Sequence, residues 1–158
     1  MKLSLCINAP EDNQAADDSD STTIPNKHTE QILQEELIRL YPASESYENA
    51  EISLSFVSPE EIRELNKAYR NVDEATDVLS FPLMGDDEPS GLPVLSLGDI
   101  VICPEEVLRL HSELNHDDAM NLMIAHSFLH LLGYDHDTEG NQSEMWALQA
   151  EIAGRLKR

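Results

Sequence analysis

Three histidines lie close together in the segment HSFLHLLGYDH, residues 126–136. His126 and His130 are four residues apart, so a helix would place both imidazoles on one face. Gly133 permits a turn with positive φ, and His136 follows that turn by three residues. Neutral imidazoles bind divalent metals such as zinc, and three of them leave a fourth tetrahedral position for water. The spacing therefore predicts a metal site of the catalytic kind, formed by His126, His130 and His136.

A buried histidine is more often a hydrogen-bonded core residue than a metal ligand. Here, however, the surrounding helix is strongly apolar, and two or three buried imidazoles would need partners. We therefore expect one metal ion per chain, with zinc as the first candidate and nickel or another divalent ion as alternatives. The apolar neighbours Leu129, Leu131 and Leu132 are expected to pack in the core.

The spacing H-x3-H-x2-G-x2-H is also that of metzincin metalloproteases, in which glutamate directly follows the first histidine and acts as general base. Ser127 stands at that position. A hydroxyl group ionises far above neutral pH and cannot replace a carboxylate in proton transfer. The sequence therefore disfavours peptide hydrolysis by the usual zinc-protease route.

Composition limits the classes of partner. The chain of 158 residues suits one domain, and its 31 acidic and 10 basic residues give a formal net charge of -21. Such a charge opposes nonspecific binding of nucleic acid, so no DNA partner is expected and any RNA function needs a local basic patch or a partner protein. No apolar run approaches the roughly 20 residues of a membrane helix, and the alternating N-terminus indicates a strand rather than a signal peptide. We expect a cytoplasmic protein in which Cys6 and Cys103 are buried.

Hydrophobic periodicity predicts four strands and five helices. The strands are expected at 2–8, 51–57, 76–82 and 97–103, and the helices at 28–41, 58–70, 104–114, 117–132 and 140–156. The acidic segment 9–26 is interpreted as a flexible connection and 83–95 as a loop. The expected fold class is α+β: a single domain with a small, roughly four-stranded sheet packed by about five helices, with the metal site on a long central helix and the turn after it.

The histidine segment resembles the signature HGxLHLxGYDH of the YbeY family of bacterial endoribonucleases. Two further segments fit that family in the same order: LNKAYRNVDEATDVLSFP at 65–82 and LGDIVICPEEV at 97–107. Together the matches cover most of residues 50–150. Ser127 replaces the usual glycine, which is a small change inside a helix, and the acidic segment 9–26 lies outside the signature.

The resemblance implies a zinc-dependent, single-strand-specific endoribonuclease that acts in rRNA maturation, including 16S rRNA 3′ end processing, and in ribosome quality control. It implies RNA and the ribosome or ribosomal proteins as partners, and the same three histidines as metal ligands. It also implies Arg70 as a catalytic residue. A guanidinium can hold a phosphate with two hydrogen bonds and stabilise charge that develops on phosphorus. The alternative is that Arg70 is a surface or salt-bridged arginine.

The predicted helix 58–70 carries the densest basic stripe in the chain. Arg63, Lys67 and Arg70 are spaced i, i+4 and i+7, which places them on one helical face. They could form the local patch that RNA binding requires, or they could pair with nearby acids such as Glu60. On the inner face of this helix we expect Ile62, Leu65 and Tyr69.

Other residues around the motif have two possible roles each. Tyr134 could stack on a base or pack in the turn, and Asp135 and Asp137 could orient a ligand histidine from outside. Asp77 and Asp99 follow the family pattern and are expected to be structural or to line the cleft. The remaining histidines lack metal spacing and are interpreted as surface residues: His28, His111 and His116.

Two rival functions remain open at this stage. One is a metal-dependent hydrolase of another substrate, such as a peptide or a small molecule. The other is a non-enzymatic, ribosome-associated factor whose metal is mainly structural, although three histidine ligands with an open position count against it. The high negative charge also predicts weak intrinsic affinity for RNA and a need for a partner.

Overall fold

The strands form one mixed sheet. The computed structural model describes residues 1–8, 25–83 and 93–157. The strands are β1 (Lys2–Asn8), β2 (Asn49–Phe56), β3 (Val78–Pro82) and β4 (Val94–Ile102). Their spatial order is β1-β2-β4-β3; β1, β2 and β4 are parallel, and β3 is antiparallel to β4. The crossover from β1 to β2 runs through the first helix, as parallel neighbours require.

Helices cover the sheet. The described ranges contain α1 (Lys27–Leu40), α2 (Pro59–Arg70), α3 (Pro104–Leu110), α4 (His116–Leu131) and α5 (Glu139–Leu156), with a short 3-10 turn at Pro42–Ser46. This confirms the predicted α+β class with a four-stranded sheet and five helices. None of the helices in these ranges has the length and apolar character needed to cross a membrane.

The central element is α4, which is apolar on nearly all sides and is therefore buried on nearly all sides. It packs against β3, β4, α3 and α5. Phe128 and Leu129 have no exposed surface and Leu131 has 1%, while Leu132 is partly buried against the same core. These residues pack as predicted, so the helix that carries two of the histidines is held by the core.

Gly98 allows α4 and the sheet to approach closely. Its φ is +140°, and a Cβ atom there would lie 2.3 Å from the carbonyl oxygen of Phe81 and 2.8 Å from Leu131 Cδ2. Only glycine can adopt this positive φ and also leave room for these two atoms. The register between β2 and β4 shifts beside it, between Glu51 and Ile52, as in a β-bulge.

Several predicted boundaries move by a few residues. Strand β4 begins at Val94 rather than at 97, so the last two residues of the predicted loop 83–95 belong to the strand. Helix α3 ends at Leu110 rather than at 114 because the chain turns at His111, whose carbonyl accepts from the backbone N–H of Leu114. Most of the predicted flexible segment 9–26 and of that loop lies outside the described residues.

Two predictions of burial were wrong. Cys6 is exposed, because it lies in the second half of the edge strand β1, whereas Cys103 is buried as expected. Tyr69 is 70% exposed. It lies near the C-terminal end of α2, where its ring packs edge-on against Phe81 with 5.2 Å between the ring centroids. The buried face of α2 is narrower than the hydrophobic pattern predicted, with Ile62 at its centre.

A buried carboxylate joins α1 to α5. The side chain of Glu36 is 1% exposed. It accepts hydrogen bonds from Arg155 Nη1 at 2.6 Å and from Arg39 Nε at 2.7 Å. Because a buried charge without partners is costly, both guanidiniums are needed at this contact.

We predict that Arg155→Ala lowers the free energy of unfolding by about 1–3 kcal/mol, because Glu36 then keeps one cationic partner instead of two. The matched control is Arg109→Ala, since Arg109 pairs with Glu106 at the surface and its side chain is 64% exposed. That change should cost less than about 1 kcal/mol. Urea unfolding followed by circular dichroism measures both, and equal losses would contradict the assignment.

Candidate metal centre

The three predicted histidines meet at one point. His126 and His130 lie on α4, and His136 lies in the segment between α4 and α5. One ligand atom from each lies within 4.8 Å of the other two. Nitrogens bound to one tetrahedral zinc ion would be about 3.4 Å apart, given zinc–nitrogen bonds of about 2.0–2.1 Å. Small side-chain movements would therefore bring the three groups to bonding distance, and the cluster could hold a metal ion.

Gly133 produces the turn that brings His136 back to the helix. Its φ is +98°. Its backbone N–H donates to the carbonyl of His130, and the next N–H, that of Tyr134, donates to Leu129, each at 3.0 Å. This pair of hydrogen bonds is the Schellman motif, a common helix ending. The turn predicted from a single glycine is present and is tied to the last turn of α4.

Gln149 orients the first histidine. Its Oε1 lies 2.8 Å from His126 Nδ1. Because an amide oxygen only accepts, Nδ1 must carry the proton, which leaves the lone pair of Nε2 free for a metal. Gln149 was not predicted as a site residue, since it lies on α5, 23 positions from its partner. Local spacing holds no signal for such a contact.

Burial favours the metal-binding form of two imidazoles. Desolvation lowers the pKa of His126, against a smaller opposing effect of the hydrogen bond to Gln149. Desolvation also lowers the pKa of His130, and the neighbouring imidazole of His126 adds to that effect. Both rings are therefore held neutral near pH 7, and neutral imidazole is the form that binds metals.

The histidines open into a cleft of about 690 Å³. Its walls come from the end of α2, from β3, from the residue after α3, and from α4 and α5. Besides the three histidines, its lining includes charged, polar and aromatic side chains, among them Arg70, Asp77, His111, Tyr134, Trp146 and Gln149. Tyr134 lines the cleft and packs against the core, which agrees with the packing role considered for it, and its stacking on a base stays a prediction.

His111 is not the surface residue that the sequence predicted. Its Nε2 lies 2.9 Å from Asp77 Oδ2, and its side chain is 23% exposed. Asp77 is held in turn, because its Oδ1 accepts from the backbone N–H of Val78 at 2.8 Å. The two partners are 34 positions apart, so metal spacing could not reveal them. Asp77 was expected either to be structural or to line the cleft, and it lines the cleft.

The other two histidines interpreted as surface residues differ. His116 is exposed, as predicted. His28 is only half-exposed, since its Nε2 lies 3.0 Å from the carbonyl oxygen of Arg155 where α1 meets α5.

The predicted basic stripe is divided between two surfaces. Arg70 lines the metal cleft. Arg63 pairs with Asp73 at 2.8 Å, and both side chains are more than half exposed. This ion pair lowers the pKa of Asp73, and the charge of Lys67 adds to the effect. One end of the stripe thus has a carboxylate partner, and Arg70 alone reaches the candidate site. The RNA-binding role of Arg63 and Lys67 stays a prediction.

Asp135 and Asp137, the acidic residues of the motif, accept hydrogen bonds from a backbone N–H and from a side chain of α5. Asp135 Oδ1 accepts from the backbone N–H of His136 at 2.7 Å, and Asp137 Oδ1 accepts from Asn141 Nδ2 at 2.9 Å. Neither bonds to an imidazole among the described residues, so Gln149 takes the orienting role predicted for them. Asp99 is exposed on β4, outside the described residues that line the cleft.

Ser127 is not among the described residues that line the cleft. It has no exposed surface, and its hydroxyl has no hydrogen-bond partner within the described ranges. The position at which a metalloprotease carries its general base is therefore buried here. That peptide hydrolysis is disfavoured stays a prediction.

The fold and site together define an α+β protein with three converging histidines in an open cleft that also holds an arginine. The profile of the endoribonuclease YbeY family matches residues 14–157. The chain belongs to this family of RNA-cleaving hydrolases.

Individual relatives agree with this assignment. The chain is 50% identical to endoribonuclease YbeY of Clostridioides difficile over 112 residues, which cover 69% of this chain and 73% of that protein. It is 39% identical to the Thermoanaerobacter endoribonuclease YbeY over 138 residues, which cover 80% and 87%. A solution structure of a Thermotoga maritima protein superposes with a TM-score of 0.54 at 27% identity, over 97% of this chain and 89% of that one.

We predict that His130→Ala loses stoichiometric zinc binding. Removal of one imidazole leaves two ligands, fewer than the three protein ligands of a catalytic zinc site. The matched control is His116→Ala, because His116 lies on the same helix but is exposed and apart from the cluster. Isothermal titration with zinc, supported by metal analysis of protein purified without chelator, measures both. Equal zinc binding by the two variants would contradict the assignment of the centre.

Proposed function

We propose that this protein is a zinc-dependent, single-strand-specific endoribonuclease of rRNA maturation, including 16S rRNA 3′ end processing, and of ribosome quality control. It would act in the cytoplasm together with the ribosome or ribosomal proteins. The observation that supports this proposal is that Arg70 and the three histidines line one cleft. A metal ligand set and a phosphate-binding group side by side suit phosphodiester cleavage better than the other hydrolytic reactions considered.

The three imidazoles would hold the ion. His126 offers Nε2, because its Nδ1 is bonded to Gln149, and His130 and His136 complete the cluster. Once bound, a divalent ion would supply a Lewis acid next to the phosphate and lower the pKa of water. Because burial lowers the pKa of His126 and His130, these two ligands would not have to release protons before a cation binds.

Arg70 would hold the scissile phosphate. Its side chain is exposed at the end of α2 and lines the cleft. A guanidinium presents two parallel N–H donors to phosphate oxygens. Its contribution would increase as negative charge develops on phosphorus during cleavage.

Asp77 and His111 supply a candidate for proton transfer. In neutral His111 the Nε2–H donates to Asp77, so the lone pair lies on Nδ1, for which the described residues provide no partner. That nitrogen could accept the proton of a ribose 2′-hydroxyl while the 2′ oxygen bonds to phosphorus. The bond from phosphorus to the 5′ oxygen breaks, and the departing oxygen takes a proton from solvent. The product would end in a 2′,3′-cyclic phosphate.

The charge of the chain bears on the proposed partner. A net charge of -21 repels RNA at long range. Arg70 and a bound cation would act only within the cleft, so a basic ribosomal protein or the ribosome itself would have to deliver the strand. This requirement agrees with an enzyme that acts on assembled particles rather than on free RNA.

We predict that Arg70→Ala lowers kcat/KM for a single-stranded RNA about 10- to 100-fold and leaves zinc binding unchanged, because a charge-assisted contact to phosphate is lost. Arg109→Ala is the control, since Arg109 lies outside the described residues that line the cleft. Cleavage of an end-labelled RNA measures the rates. If all three proteins cleave equally, a contaminating nuclease is responsible and the proposal fails.

We predict that His111→Ala lowers kcat about 10²- to 10⁴-fold, the usual contribution of general base catalysis. Added imidazole should restore part of the rate, because it replaces the missing base without repairing the fold. His116→Ala serves as the control, and the product ends are analysed for a cyclic phosphate. Full activity of His111→Ala, or products with ordinary 3′-phosphate or 3′-hydroxyl ends from the start, would exclude this role.

A further inference from the structure

Trp146 exposes an aromatic surface beside the candidate metal centre. It is the one tryptophan in the chain, and it is 41% exposed. Tryptophan is usually buried to a large extent, because its indole ring has a large apolar area. A ring left in water next to a candidate active site therefore needs an explanation.

Its position on α5 does not serve the core. The buried face of α5 is formed by Met145, Ile152 and Leu156. Trp146 follows Met145 by one residue, so its side chain is rotated by about 100° from that face. It is also absent from the apolar cluster that α5 helps to form. A polar residue at position 146 would therefore leave the packing of the core unchanged.

The ring instead faces the histidines. Its centroid lies 5.9 Å from that of His126 and 5.6 Å from that of His136, with interplanar angles of 39° and 33°. The side chain lines the same cleft as Arg70. An aromatic face, a phosphate-binding arginine and a candidate metal site are thus present within one cavity of nucleotide size.

We propose that Trp146 is the stacking platform for one unpaired nucleobase next to the scissile phosphate. This inference rests on the proposed endoribonuclease function and assigns a subsite to it. Stacking of a base on an aromatic side chain typically contributes roughly 5- to 150-fold in affinity and depends little on the identity of the base.

The chemistry of the chain favours stacking over charge. With 31 acidic residues, the protein has little capacity to hold RNA by phosphate contacts alone. Stacking is not opposed by that charge. It also requires a base that is free to leave its neighbours, which single strands offer and duplexes do not. A platform beside the metal centre would therefore contribute to selection of single strands at the point of cleavage.

Steady-state cleavage of a short single-stranded RNA tests the inference with three variants of the full-length zinc protein. Trp146→Leu keeps an apolar side chain but removes the aromatic face, so we expect KM to rise about tenfold or more with kcat nearly unchanged. Trp146→Phe keeps a smaller face and should stay within about threefold of wild type. Leu108→Ala is the control, because Leu108 is similarly exposed, 42%, on α3 and lies outside the described residues that line the cleft.

Tryptophan emission provides a second readout that does not depend on turnover. Because the chain has one tryptophan, its fluorescence comes from the proposed subsite alone. Addition of the single strand should quench it, whereas an RNA duplex of the same sequence should quench it much less. Quenching by both to the same extent would contradict selective stacking.

The remaining outcomes separate this inference from the proposed function. If wild type cleaves RNA and Trp146→Leu has the same KM, the stacking role is wrong while the endoribonuclease function stands. If Trp146→Leu loses zinc, measured by metal analysis, the ring supports the histidines and the stacking role is again wrong. If wild type neither cleaves nor binds RNA, the proposed function is wrong and the subsite is excluded with it.

Discussion

The burial of α4 is the constraint on which the candidate site depends. Its residues pack against two strands and two helices, and Phe128 in its C-terminal half has no exposed surface. A helix packed on so many sides cannot rotate or slide without opening cavities in the core. His126 and His130 therefore have fixed positions relative to the sheet, and Gly98 allows the sheet to come close to the same helix. The rigidity of the site is a property of the core rather than of the cleft.

The cleft reconciles an acidic chain with an RNA substrate. The net charge of -21 repels phosphate at long range, yet the cleft gathers groups suited to the nucleotide contacts that we propose for it. Arg70 offers one localised positive charge, burial favours the neutral form of His126 and His130, and Trp146 offers an uncharged aromatic face. Short-range contacts of this kind act after a strand has arrived and do little to attract it from a distance. Binding of an RNA strand in the cleft and its delivery to the protein would thus depend on different interactions.

Local rules account for the parts of the site that could be predicted. The i, i+4 spacing of two histidines on an apolar helix and a turn-forming Gly133 are local features, and both appear in the structure as expected. Gln149 and His111 were missed because each meets its partner across more than twenty positions, and no periodic pattern encodes such a pair. The three residues of the basic stripe lie on one helix, α2, as predicted. Arg63 pairs with Asp73 whereas Arg70 lines the cleft. This difference depends on how α2 packs on the sheet, which cannot be predicted from the sequence of α2 alone.

The three histidines differ in how firmly they are held, and this difference follows from the elements that carry them. His126 is held by the packing of α4 and by its hydrogen bond to Gln149, so it is oriented before any ion arrives. His136 is exposed and lies outside the helices; Asp135 fixes its backbone N–H rather than its ring. His126 and His130 would offer a metal two nitrogens carried by the buried helix α4, and His136 would complete the cluster by a small movement. The arrangement combines a preformed pair with one adjustable ligand, which lowers the cost of ordering while it keeps the position of the metal set by the core.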